Sequence, residues 1–301
     1  MNVISIGEVL WDVVGTAEHL GGAPFNFAAH LSRLGHRLAF ISAVGRDERG
    51  DRILRAMPGL GLTPRYVGEV SEYATGIVTV TLLNGQPSYV LHRPAAYDFP
   101  QLTEEQFGGL LSEPIDWIYF GTLLQLSMQA KRLTMTLIDS APQAKRFYDV
   151  NLRRENWQPS LVRTLTERAS VVKLNDEEVP EVARALNQPA RPLEEFCRAV
   201  AGAYGLDAIC VTRGARGCAV LIAGEYVEAE GYSVEVADAV GAGDAFAAAF
   251  LHGLGRSWPP LQIADFANRV GALVASRRGA IPPWTIDEVE AMANLKHSER
   301  A

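Results

Sequence analysis

Short runs rich in Val, Ile and aromatic residues alternate with longer amphipathic segments along most of this 301-residue chain, and no other feature constrains its fold as strongly. Strands that alternate with helices call for a mainly parallel sheet, because a parallel neighbour is reached only through a crossover. Val3–Ile6 reads as the first strand, followed by a polar turn, Gly21-Gly22-Ala23-Pro24, and a helix from Phe25 to Leu34 that ends at Gly35. Leu38–Val44 reads as the second strand, and Asp47 caps a helix closed by Pro58-Gly59. From Ile115 onward the alternation resumes. Strands are expected at WIYFG, RFYDVN, SVVKLN, DAICVTRG, CAVLIA and YVEAEG, with helices near 127–140, 161–169, 177–186, 193–204, 244–253, 261–277 and 285–295. The stretch Cys218–Val236 reads as a hairpin on a sheet edge.

One segment breaks the pattern. Between Tyr73 and Arg93, TGIVTVTLL and PSYVLHR flank Asn84-Gly85, the strongest short hairpin signal. A hairpin inserted into an alternating chain suggests a small second layer or lid, and Val9–Val14 is a candidate to pair with it.

A chain of this length buries one large core or a core with a small addition. The net charge of −7, without any Lys/Arg-rich run, argues against nucleic acid or an anionic membrane as partner. Three cysteines without a C-x-x-C pair suggest neither a disulfide framework nor a zinc site, and a reducing cytoplasm fits. The N-terminus lacks the basic and apolar blocks of a signal peptide, and no apolar run approaches the ~20 residues of a membrane span.

The sharpest chemical signal is Asp238-Ala-Val-Gly-Ala-Gly-Asp244, followed by the small-residue helix AAAFLHGL. Small residues before a helix leave backbone N–H groups open to an anion, and the helix dipole adds positive potential there. Asp244 in the first turn would stand beside that anion hole. A carboxylate and an anion hole together suit phosphoryl transfer to an alcohol. The plain alternative is a strand-to-helix turn with a first-turn acid. No G-x-x-x-x-G-K-[ST] occurs, and the third glycine of the dinucleotide fingerprint is missing. A second constellation, Asp12, Gly21, Gly22 and Asn26, allows close approach of a polyol to the backbone. A third, Asn175-Asp-Glu-Glu178, offers oxygens for a hydrated Mg²⁺, although a helix start is its default explanation. Asp149–Arg153 ends another strand of the same expected sheet.

These residues, in this order, resemble the ribokinase-like (PfkB) carbohydrate kinases. The resemblance rests on G-E-x-x-x-D at Gly7–Asp12, G-G-A-P-x-N at Gly21–Asn26, G-x-D-x-x-G at Gly45–Gly50 and D-V-N-L-R at 149–153. K-x-N-x-x-E at 173–178, V-T-x-G-x-x-G at 211–217 and G-A-G-D at 241–244 complete it. It implies an α/β fold: a Rossmann-type three-layer core with a mostly parallel sheet and a small β-sheet lid. Residues 1–8, 25–70 and 97–301 would form the core with the ATP site, and 9–24 and 71–96 the lid over the sugar site.

By the same resemblance Asp244 is the general base and Gly241, Ala242 and Gly243 are the anion hole. Asp12, Gly22 and Asn26 hold sugar hydroxyls, and Asn175 and Glu178 organise Mg²⁺ through water. Thr212, Gly214 and Asn268 line the nucleotide site, while carbonyls near Asp238, Val240, Arg277 and Gly279 bind a monovalent cation, K⁺. Dimers through the lid are a further implication. G-E-V-L-W-D-V, F-G-T-L and F-Y-D-V-N-L-R are most similar to fructokinases, with keto-deoxygluconate, ribose and nucleosides as other acceptors on this scaffold. Ala239 departs from the usual Thr after the aspartate. Arg93 is a candidate contact for a substrate carboxylate or phosphate, or a solvated strand-end arginine.

Overall fold

The computed structural model describes residues 1–83, 86–153 and 156–298. The chain is mixed α/β and forms two compact units that divide after Lys145.

The first unit contains β1 (Asn2–Ile6), β2 (Leu10–Val14), β3 (Ala17–Gly21), α1 (Ala23–Arg33), β4 (Arg37–Gly45) and α2 (Glu48–Ala56). It continues through β5 (Val67–Val70), β6 (Gly76–Leu83), β7 (Gln86–Leu91), α3 (Glu104–Leu111), β8 (Trp117–Gly121) and α4 (Met128–Ser140). Its main sheet runs β8-β1-β4-β5, all parallel. A separate sheet has the order β3-β2-β6-β7. Within it β2 pairs antiparallel with β3 and parallel with β6, and β6 pairs antiparallel with β7. The Asn84-Gly85 turn expected between the last two lies outside the described residues.

Helix α1 starts two residues before Phe25, because Pro24 fits the first turn and Gly22, at φ 110, caps it without a side chain. Asp47 caps α2, accepting the Gly50 N–H at 2.8 Å. The hydrophobic core of this unit lies between α1 and the main sheet, where Phe27 stacks on Tyr119 at 3.7 Å and Phe25 meets Phe40 edge-on.

Apart from the first residue of β9, the second unit contains β9 (Lys145–Asp149), α5 (Pro159–Glu167), β10 (Val171–Asn175), α6 (Val179–Ala185), α7 (Leu193–Tyr204) and β11 (Ala208–Thr212). β12 (Cys218–Ile222), β13 (Glu225–Ala229), α8 (Ala242–Gly255), α9 (Pro260–Ala275) and α10 (Ile286–Ser298) follow. Strands β9, β10 and β11 are parallel, and the β12–β13 hairpin continues the sheet antiparallel to its edge. Such fully buried parallel strands read as continuous apolar runs, as VVKLN and AICVT nearly do. Helix α8 packs on α9, and its Phe250 meets Phe147 of β9 edge-on. No helix among the described residues is long and apolar enough to cross a membrane.

Candidate active site

In the second unit the carboxyl ends of three parallel strands bring separate motifs together. Lys173 pairs with Asp149 across β10 and β9, and Asn175 with Thr212 across β10 and β11. Open α/β sheets bind ligands beyond such ends. The Lys173 ammonium lies 2.9 and 3.0 Å from the two oxygens of Asp149, both side chains buried. Burial opposes the lysine's charge, yet Asp149, and more weakly Glu178 and Asp244, raise its pKa above the ordinary value. The Asp244 carboxylate is therefore near enough to be felt at Lys173.

Asp244 sits in the first turn of α8, part-exposed. Gly241 caps this helix at φ 80, with no side chain closing its amino end. A Cβ at Gly241 would fall 2.3 Å from the Ala280 carbonyl, so glycine is required there by backbone and space alike. Gly243 differs: a Cβ would meet nothing within 4 Å. Packing does not demand that glycine; its exposed position leaves the helix mouth clear. Asp238 ties this loop to the chain beyond α9, its carboxylate accepting from the Val240 N–H at 3.0 Å and the Gly279 N–H at 3.1 Å. Residues 238–240 and Gly279 are thus neighbours. The Arg277 side chain bonds instead to the Pro283 carbonyl and Glu288.

Asn175 and Glu178 form a reciprocal pair before α6. The Asn175 side-chain oxygen accepts from the Glu178 N–H at 2.9 Å, while Glu178 accepts the Asn175 N–H at 2.8 Å and the Leu152 N–H at 2.6 Å. Burial raises the Glu178 pKa against the pull of those amides and of Lys173. N-D-E-E therefore stands at the start of α6, as a helix-start reading expects. Asn151, joining the D-V-N-L-R segment to it, adopts φ 40, an uncommon conformation for a residue with a side chain. Thr212 is part-buried and Gly214 exposed at φ 56 with open space around it. Asn268 is buried, and its amide donates to the carbonyls of Ala229 and Glu230, fixing the end of β13 on α9.

In the first unit Asp12 lies mid-strand in β2, part-exposed, with one oxygen against Gly21, where a Cβ would sit 2.6 Å away. A Cβ at Gly22 would come 2.4 Å from the Glu8 carbonyl, so the turn into α1 presses on the segment between β1 and β2. Asn26 is buried inside the first turns of α1 and does not cap it. Arg93 is neither solvated nor wholly available. It makes a two-pronged pair with Asp98 at 2.5 and 3.2 Å and donates to the Leu123 carbonyl at 3.0 Å.

The sequence reading gave no role to Lys173 or Glu8. Opposite charges at matching places in FYDVN and VVKLN were the available signal for the first. It also passed over the Tyr97 hydroxyl and the Gln125 amide, which are buried and find no hydrogen-bond partner among the described residues. Groups of that kind call for a ligand or water.

A helix mouth without a side-chain cap, with its first-turn acid, thus stands with a sheet edge of paired polar residues in the second unit. Residues 4–287 match the pfkB family carbohydrate kinases, and the chain belongs to that family. It is 29% identical to a fructokinase of Escherichia coli, over 87% of each chain. Among solved structures, an ATP complex of a sugar kinase from Pyrococcus horikoshii is 26% identical with a TM-score of 0.81, over 96% of this chain and 99% of that one. A fructokinase of Xylella fastidiosa solved with bound ATP has the same fold, with a TM-score of 0.87 at 23% identity over 98% and 99%. The chain is a sugar kinase.

Proposed function

We propose that the protein transfers the γ-phosphoryl group of ATP to a primary hydroxyl of a ketose, fructose before others. The observation that carries this reading is the mouth of α8: a helix start closed by no side chain, kept clear at Gly243, with Asp244 part-exposed in its first turn. Asp244 takes the proton of the acceptor hydroxyl. The amides of Gly241, Ala242 and Gly243 receive charge that spreads over the transferred oxygens. Asn175 and Glu178 hold Mg²⁺ through water; the donor set fits, being oxygen-only with lone pairs beyond those bound to amides. When bound, the ion neutralises charge on the phosphates.

Thr212 and Gly214 line the nucleotide site, and Asn268 supports it by fixing β13. Carbonyls at Asp238, Val240, Arg277 and Gly279 would hold K⁺ if the enzyme uses it. Asp12, Gly22 and Asn26 bind the sugar. The fructokinase homologue supports fructose. So does Arg93, whose charge is already met by Asp98, leaving less attraction for a carboxylate on the acceptor. The small sheet serves as the lid over the sugar and, in a dimer, as the contact surface.

Replacing Asp244 by Asn should leave folding intact and lower turnover about 10²–10⁴-fold, the scale of a positioned base. ADP release is measured over a panel of ketoses, aldoses, acid sugars and nucleosides, with and without potassium. Near-wild-type turnover in Asp244→Asn removes the base, and a preference for acid sugars removes fructose.

A further inference from the structure

The small sheet is held by a clasp on α2 that the reaction scheme does not use. Glu18 of β3 spends both carboxylate oxygens on that helix. One accepts from Arg49 Nε and Nη2 at 2.8 and 2.6 Å, the other from Arg52 Nη1 at 2.5 Å. Trp11 of β2 joins it: its indole N–H donates to the Arg49 carbonyl at 3.2 Å, and the Arg52 guanidinium lies 4.1 Å from its ring centroid. The same helix start holds the entry to β6, since Asp47 accepts from the Thr75 N–H at 2.8 Å and the Thr75 hydroxyl at 2.7 Å.

Strand alternation gives this clasp its direction. Successive side chains of β2 point to opposite faces. Trp11 faces α2; Asp12 faces away, beside Gly21. Glu18 is paired with Val13, on the Trp11 face, and His19 with Asp12. Gripping one face of β2 therefore fixes where the other face presents Asp12.

We propose that Glu18 is a positioning residue for the sugar site, acting through Arg49, Arg52 and Trp11 to set the place of Asp12. This rests on the reading of Asp12 as a sugar ligand. Without the Glu18 charge, Arg49 and Arg52 repel one another three residues apart on α2, and the cation over Trp11 loses its second anchor. The sheet then samples positions in which Asp12 misses the sugar. If the competent position is held a tenth of the time, the apparent sugar affinity falls about tenfold.

The test compares wild type, Glu18→Gln and a charge-exchanged Glu18→Arg/Arg49→Glu/Arg52→Glu variant by steady-state kinetics and amide hydrogen exchange. Glu18→Gln should raise the fructose KM about tenfold, with kcat and the ATP KM within about twofold, and exchange over residues 10–21 should quicken while β1 and β4 stay protected. The exchanged variant should recover most of the KM. An unchanged fructose KM, or kcat and ATP KM moving with it, overturns the proposal. Should wild type phosphorylate another sugar and not fructose, the fructose reading fails by itself, and the same comparison is made on the KM of that sugar, where an unchanged value in Glu18→Gln overturns the proposal.

Discussion

Lys173 and Asp149 occupy opposed positions of adjacent parallel strands and share a buried two-pronged ion pair. Removing one partner leaves the other charged and out of water. Lys173→Met should therefore cost about 3–5 kcal/mol, read from urea unfolding. Lys173→Met/Asp149→Asn should recover a good part of that loss, since no unpaired charge then stays inside. A single variant as stable as wild type would mean that the pair is not buried as described.

Glu178 receives two backbone N–H groups, one on each oxygen. Glu178→Gln turns one acceptor into a donor facing another donor. The cost should be about 1–3 kcal/mol, the range for a buried polar group left unmatched. Because the same side chain is proposed to hold Mg²⁺, the KM for magnesium–ATP should rise while the sugar KM holds. Titrating magnesium at fixed ATP separates the two effects, and an unchanged magnesium dependence would detach Glu178 from the ion.

His252 is buried in α8 between Trp258 and Phe266, and burial, helped by the Arg256 cation, pushes its pKa down to about 4. Its folded value lies below the unfolded one of ~6.5. Its contribution is complete above that value, falls as pH drops below it, and is gone once the folded imidazole protonates. The loss is on the order of 3 kcal/mol. Denaturant unfolding at pH 7 and pH 4 measures it, and His252→Leu should show a smaller difference between the two. Equal pH dependence in both proteins would show that some other group carries the transition.

Much of the architecture was legible because each strand and helix is locally consistent. The paired strands on either side of Asn84-Gly85 and the Asp47 cap followed from turn and capping chemistry; the edge hairpin expected over Cys218–Val236 is present but ends at Ala229. Three elements escaped for identifiable reasons. β3 is AEHLG, with little β-branched content, and becomes a strand through pairing with β2 and the clasp on α2. β5, VGEV, is four residues long and gains its place from β4. α3 carries Gly108 and Gly109, which hide a helix that the capping box of Thr103 and Gln106 announces.

The site was legible where a motif is contiguous, as at Gly241–Asp244 and Asn175–Glu178. Pairings between motifs, such as Lys173 with Asp149 or Glu18 with α2, depend on register and sheet order, which no local pattern carries. Arg93 shows the same limit: its partner is five residues away, but only the turn at residues 96–98 brings Asp98 back to it.

The two glycines at the mouth of α8 differ in what they can tolerate. At Gly241 any substituent collides with the Ala280 backbone, whereas Gly243 has room on every side. Variation among descendants of this chain should therefore be absent at the first position and tolerated by the fold at the second. On the proposed reading of the α8 mouth, alanine or serine at residue 243 should give well-folded proteins with slower turnover, the first read from thermal unfolding and the second from ADP release.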